Sequence, residues 1–416
     1  MTTLDLEWIR MQFPALAQQV NDQPAIFFDG PGGTQVPQQV INAMTDYLIR
    51  ANSNIHGAFL TSRRTDETIT AAHQAMADLL GCAPDEVVFG QNMTSLTFAF
   101  SRAIGRDIQP GDEIVLTRLD HDANVAPWKA LEEQGAIIKF VDVDTEDCTL
   151  DMADFARQIT PKTKLVAVGY ASNAVGTIND VKQVVELAHA VGALVYVDAV
   201  HYAPHGPIDV QELGCDFLAC SPYKFFAPHM GTLYGKREHM QRLTPYKVRP
   251  AADILPDRWE TGTKSHESMA GVTAAITYLA ELGRHHRAWE TEPTQREAII
   301  AAMEMICEYE RGLSEKLIAG LLTIPGLTFY GITDAARFES RTPTVAVRIA
   351  GHTPRQLSEA LGQRGIFTWD GNYYAMNLSE RLGVEDLGGM LRIGLVHYNT
   401  VDEIDRLLAA LREIAG

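Results

Sequence analysis

Two side chains 26 positions apart (224 − 198) carry the first chemical signal: Asp198 and Lys224. Each follows a short apolar, β-branched run, ALVYV (193–197) and DFLAC (216–220). Ligands of open α/β sheets bind outside the carboxyl ends of the strands. A lysine amine placed there can form an imine with a carbonyl group. A carboxylate placed there can keep a heteroaromatic nitrogen protonated. Taken singly, an Asp or Lys at a strand end is more often a cap or a surface residue.

Other strand ends add to the set. Thr94 and Ser95 open an apolar-periodic helix in QNMTSLTFAF, where free N–H groups and the positive end of the helix dipole suit a phosphate; a plain N-cap would use the same residues. His121 follows EIVLT (113–117) and could stack on a planar ring. Asn173 follows KLVAVGYAS (164–172) and by itself reads as a turn residue. An amine, a carboxylate, a phosphate seat and a planar side chain are what pyridoxal 5'-phosphate (PLP) requires. DGPGGTQVP (29–37) is neither GxGxxG nor a P-loop, so it is no nucleotide signal. It suits close approach of backbone to a small ligand.

The elements that position these residues follow from hydrophobic patterning. Seven short runs (86–90, 113–117, 137–143, 164–172, 193–200, 216–222 and 231–235) alternate with helical patterns such as Thr94–Ile104, Asn124–Gln134 and Asp180–Val191. Alternation of this kind predicts an α/β fold with a mainly parallel seven-stranded sheet and helices on both faces. After about residue 290 the pattern changes to a long helix (Thr294–Leu321), TPTVAVRIAG (342–351), a helix near Pro354–Arg364, LRIGLVHYN (391–399) and a last helix from Val401. The expected division is a segment 1–25 packing on the small domain, a large domain 26–290 and a small α+β domain 291–416.

Composition bounds the partners. The 416 residues carry a net charge of −18 with 46% hydrophobic and 21% charged residues, ordinary for a globular chain apart from its acidity. An acidic surface repels a phosphate backbone, so no nucleic-acid role is expected. The first residues, MTTLDLEWIRMQFPAL, lack the basic and apolar regions of a signal peptide, and no apolar run reaches a membrane span. The five cysteines show no CxxC pair and no metal-type spacing. A cytoplasmic protein with reduced thiols and no metal is expected.

Together the motifs resemble the class V aminotransferase group of PLP enzymes (fold type I), on the cysteine desulfurase/selenocysteine lyase branch. FFDGPGGTQVP, NSNIHGAFLTSRRTDET, NMTS, LDHDAN, SNAVGTIN, VDAVH, SPYK, ETGTKSH and LRIGLVHYNT fall in family order from about Ile26 to Tyr398. The resemblance implies Lys224 as the Schiff-base lysine, Asp198 on the pyridinium nitrogen and His121 on the ring face. It implies that Met93 (backbone N–H), Thr94, Ser95 and Ser221 hold the phosphate, with Tyr223 able to donate to it. Asn173 and His201 would lie near the phenolic oxygen. Gly262 and Thr263 would reach the phosphate of the neighbouring subunit, making a homodimer with composite sites. Arg392 would bind the substrate α-carboxylate through a bidentate fork, with His56, Asn173 and Tyr373 also on the substrate.

Three departures from that branch shape the functional expectation. The stretch GIFTWDGNYYAMNL (365–378) has no cysteine where desulfurases carry the sulfur-accepting thiol. Tyr223 replaces the His before the lysine. His201 stands where Gln is usual, and a histidine there could titrate near neutrality. Trp369, Tyr373 and Tyr374 form either an aromatic wall around a larger substrate or a hydrophobic clamp. The reading is a PLP enzyme acting on an amino acid by C–S cleavage through β-elimination of a cysteine-type substrate. Transamination, epimerisation or racemisation, and a non-catalytic PLP-fold binding protein are the alternatives.

Overall fold

The computed structural model describes residues 4–416. Among the described residues the seven apolar runs form one sheet: β1 (Val87–Gly90), β2 (Glu113–Thr117), β3 (Ile137–Val141), β4 (Thr163–Gly169), β5 (Leu194–Asp198), β6 (Phe217–Cys220) and β7 (Gly231–Gly235). Their spatial order is β1-β7-β6-β5-β4-β2-β3. Strands β2 to β6 run parallel, while β7 is antiparallel to both its neighbours. This is the mainly parallel sheet expected from the sequence.

The centre of the sheet is apolar on both faces because both faces are covered. Alternate residues feed separate cores. Val115, Val166, Val195 and Leu218 pack on one side. Ile114, Leu165, Tyr196 and Phe217 pack on the other. The main helices are α1 (Gln38–Arg50), α2 (Leu60–Leu80), α3 (Met93–Gly105), α4 (His266–His286), α5 (Gln295–Leu321) and α6 (Val401–Ala415). Helix α4 packs along α1, α2 and α5. The helix expected over Asn124–Gln134 is instead a short α-helix, Ala126–Lys129, between two 3-10 segments. Pro127 has no N–H to donate, so the α-helical ladder can only start around it.

A third core sits under a four-stranded antiparallel sheet of β8 (Leu327–Tyr330), β9 (Thr344–Ile349), β10 (Trp369–Gly371) and β11 (Met390–Gly394), in the order β8-β9-β11-β10. Helices α5 and α6 open with reciprocal capping boxes, Thr294 with Glu297 and Thr400 with Glu403, which fixes their first turns. Near the N-terminus, Trp8 stacks on His285 of α4 and Arg10 pairs with Glu403 of α6 at 2.9 Å. Ile26–Phe27 pairs in parallel with Ile366–Phe367, and Ile26 and Phe28 are buried in the third core. Among the described residues no helix is long and apolar enough to cross a membrane.

Candidate active site

The carboxyl ends of β4, β5 and β6, the start of α3 and the segment 369–374 surround a cavity of about 440 Å³. Of the residues singled out in the sequence, Met93, Thr94, His121, Asn173, Asp198, His201, Ser221, Tyr223, Lys224, Tyr373 and Arg392 line it. Ser95, Gly262 and Thr263 instead line a neighbouring cleft. His56 lies outside both, exposed, with its ring 3.4 Å from Asp66.

Lys224 ends a 3-10 turn, Pro222–Lys224, that follows β6 directly. Its Nζ meets the carbonyl of Pro31. Burial, and then the nearby Arg392 guanidinium, pull the amine down to about 7, against the pull of Asp198 and Asp29. Such an amine gives and takes protons near neutrality. Asp198, the last residue of β5, accepts a hydrogen bond from the Val200 N–H at 2.9 Å and otherwise faces the cavity. Burial raises its carboxyl to about 6, against the opposing pull of the Val200 N–H and of the Lys224 charge. Asp120 also lines the cavity, with the Thr117 hydroxyl donating to it at 2.9 Å. Burial pushes Asp120 up to about 8. No sequence signal separated Asp120 from its neighbour His121.

His121 accepts the Ala123 N–H on Nδ1 at 3.0 Å. Burial, with Lys224 and Arg392 nearby, holds it down to about 4, so it presents a neutral, planar face. His201 is not the near-neutral titrating group expected. It is fully buried beside Thr342 Oγ1 (3.1 Å), and burial together with His205 keeps it well below the usual histidine range.

The start of α3 is built to receive an anion. The Asn92 side chain takes the Ser95 N–H at 2.8 Å and the Asn92 carbonyl takes the Leu96 N–H. That leaves the N–H groups of Met93 and Thr94 at the cavity, beside the hydroxyls of Thr94 and Ser221. Gly231 backs this turn so closely that a Cβ there would run into Asn92 and Met93. On the opposite wall, Arg392 of β11 donates to the Asn173 carbonyl at 2.8 Å and lies 4.2 Å from the Tyr373 ring centroid. Burial lowers it only to about 10, so it stays charged, yet its Nε has no partner. A buried cation without a carboxylate is costly until an anion arrives. The buried Asn173 Oδ1 also lacks a partner. These unmet groups fit PLP and an amino-acid carboxylate in one cavity.

Among the described residues, no cysteine lines the cavity. Cys220 precedes Ser221 but is fully buried at the end of β6, and burial pushes its thiol far up. Cys148 and Cys215 are buried and raised to about 12.

A lysine and a carboxylate at adjacent strand ends, with a phosphate seat and a histidine face on a mainly parallel α/β sheet, mark a PLP-dependent enzyme. The aminotransferase class-V family matches residues 26–407, and the chain belongs to that family. It is 34% identical to a probable cysteine desulfurase of Mycolicibacterium paratuberculosis, over 99% of this chain and 58% of that protein. The chain therefore spans less than two thirds of that relative. It is 32% identical to an aminotransferase-like protein of Gibberella zeae over 99% of both chains. Among solved structures, a cysteine desulfurase from Thermococcus onnurineus superposes with a TM-score of 0.87 at 25% identity, covering 100% of this chain and 99% of the other.

Proposed function

We propose that this enzyme cleaves the carbon–sulfur bond of a cysteine-type amino acid by β-elimination and releases the sulfur as free thiol or sulfide. The desulfurase names of its relatives support C–S cleavage. The observation that carries the elimination reading is the cavity without a thiol, because a persulfide route needs an accessible thiolate beside the substrate.

In this reading the Met93 and Thr94 N–H groups and the hydroxyls of Thr94 and Ser221 would hold the cofactor phosphate, Asp198 would pair with its ring nitrogen, and His121 would offer it a planar face. Bound there, PLP supplies an electron sink for negative charge at the substrate Cα. Arg392 takes the α-carboxylate. The Lys224 amine, near 7, takes the Cα proton. The Cβ–S bond then breaks with its electron pair on sulfur. Water converts the released aminoacrylate to pyruvate and ammonia, so no oxidant or reductant is needed.

A homodimer belongs to the same proposal, with Gly262 and Thr263 completing the partner's phosphate seat. It is supported by their position in a cleft outside this chain's own cavity. Thr263→Ala mixed with Lys224→Ala should restore part of the activity, and a fully active monomer in sedimentation would refute it. A cytoplasmic location, and a division into 1–25, 26–290 and 291–416, are also part of the proposal. The two main sheets fall on either side of residue 290, and residues 1–3 lie outside the described structure. The test of the reaction is to incubate holoenzyme with cysteine and its thioethers and assay pyruvate, alanine, sulfide and thiol together. Pyruvate with free thiol or sulfide is expected. Alanine with a stoichiometric enzyme persulfide would overturn the proposal.

A further inference from the structure

The reaction as written leaves the outer wall of the cavity unused. Trp369 of β10 is the direct cross-strand partner of Arg392 on β11, so the two side chains leave the same face of the small sheet. The indole covers Gly32, where a Cβ would run into the ring. Gly32 follows Pro31, whose carbonyl meets Lys224. Trp369 thus stands beside both the carboxylate-binding arginine and the reacting amine. From the other side Tyr374 lies against His121, ring centroids 5.4 Å apart and 21° from parallel. Trp369 and Tyr374 both line the cavity, and they are 49% and 70% exposed. Large aromatic side chains left in water at a cavity mouth are a binding surface in search of a partner.

The segment holding them is fixed, and its polar groups are engaged. Asp370 faces Arg355 at 3.5 Å. Asn372 donates to Glu385 at 2.8 Å and accepts the Tyr374 N–H at 3.0 Å. Tyr373 and Tyr374 both sit in the left-handed region, with φ of 57° and 60°, where side-chain-bearing residues are uncommon. Three contacts hold them there: Asn173 Nδ2 to the Tyr373 carbonyl (2.9 Å), Asp122 N–H to the Tyr374 carbonyl (2.8 Å), and the Tyr373 hydroxyl to the Met390 carbonyl. Unfavourable backbone held by its surroundings at a site is a mark of placement for a ligand.

We infer that the space between Trp369 and Tyr374 is a subsite for an aromatic group at the far end of the substrate side chain. Resting on the C–S cleavage proposed above, this makes the substrate class S-aryl cysteines in preference to free cysteine. A bare thiol is one heavy atom and leaves both rings in water. An aryl group between them removes aromatic surface from water on both side chains and on itself. The class also suits a cavity without an acceptor thiol: an arenethiolate delocalises its charge into the ring and departs unaided. The balance is S-arylcysteine plus water giving arenethiol, pyruvate and ammonia. The Cα proton goes to Lys224, and the Cβ–S electron pair goes to sulfur, which is then protonated.

The test separates the subsite from the reaction. Calorimetric titration of the holoenzyme compares 2-amino-4-phenylbutanoate with 2-aminobutanoate, analogues of S-phenylcysteine and cysteine in which carbon replaces sulfur. The phenyl compound should bind about tenfold tighter or more. The affinity ratio should fall toward one in Trp369→Ala and Tyr374→Ala. Trp369→Leu, which keeps an apolar side chain over Gly32, serves if the alanine variant loses its cofactor, and should lower the ratio too. Equal affinity for the two compounds in the wild-type enzyme overturns the subsite. A clear phenyl preference with no arenethiol released from S-phenylcysteine leaves the subsite standing and defeats the C–S reading alone. Release of arenethiol and pyruvate in equal amounts, with kcat/KM above that for cysteine, supports both.

Discussion

The wall of the cavity built by the seven-stranded sheet and the wall built by residues 369–374 treat polar atoms in opposite ways. On the sheet side, Lys224, Asp198 and the first N–H groups of α3 are buried or half-buried and face the cavity short of partners. On the other side, Asp370 and Asn372 are already engaged, and what remains toward the cavity is aromatic. Unmet polar groups call for a ligand of fixed charge and shape. Aromatic surface accepts anything flat and apolar. In the proposed reading the first wall holds the cofactor and the second selects the substrate side chain.

Breaking the sheet wall should have the largest effects. Lys224→Ala should lower kcat by at least about 10,000-fold, because the proton-transferring amine is lost. Pyruvate release measures it, and borohydride should no longer fix PLP to that peptide. Asp198→Asn should follow at about 100- to 1,000-fold, the scale of a buried electrostatic contact to developing charge. Arg392 tests the join between the walls. Arg392→Lys keeps the charge but loses the planar fork, and should lower kcat/KM by about 10- to 100-fold, or roughly 1.4–3 kcal/mol.

A smaller effect sharpens the electrostatics. Only a neutral amine is nucleophilic, so labelling of Lys224 in cofactor-stripped protein by an acylating reagent should rise as pH passes about 7. Because the Arg392 charge favours the neutral amine, Arg392→Met should move the Lys224 midpoint upward; a midpoint that moves down would contradict the coupling. The smallest expected effect is on the thiols. Replacing all five cysteines with Ser or Ala should leave kcat within about threefold, since none of the thiols lines the cavity. Loss of activity with one particular cysteine would reassign the sulfur chemistry to it.

The sheet wall was legible from sequence because its residues sit at the ends of continuous apolar strands, and strand ends are where such sheets bind ligands. Lys224, Asp198, His121 and Asn173 all follow such strands in the sequence. Strands β8 and β10 were not legible. Trp369–Gly371 is three residues long and ends in glycine, too short for period-two alternation to register. Its strand character comes from pairing with β11 at Trp369 opposite Arg392. His201, expected near neutrality from its residue type, is held well below that range because its surroundings bury it, and residue type does not report burial. His56, drawn in by motif order, stands exposed outside this chain's cavity.

The pairing of Ile26–Phe27 with Ile366–Phe367 carries a consequence for how the protein comes into being. An isolated two-residue strand has little stability of its own. Ile26 of the strand and Phe28 just after it pack with Val345, Leu391 and Ile404, so they wait for partners made more than three hundred residues later. The turn that brings Pro31 to Lys224 hangs from this stretch, with Asp29 bridged to Gly394. Contacts of such long sequence separation are late events in folding. During synthesis the seven-stranded sheet can therefore be complete while the surroundings of its lysine are still open, and a nascent chain becomes competent only once residue 394 has left the ribosome and docked.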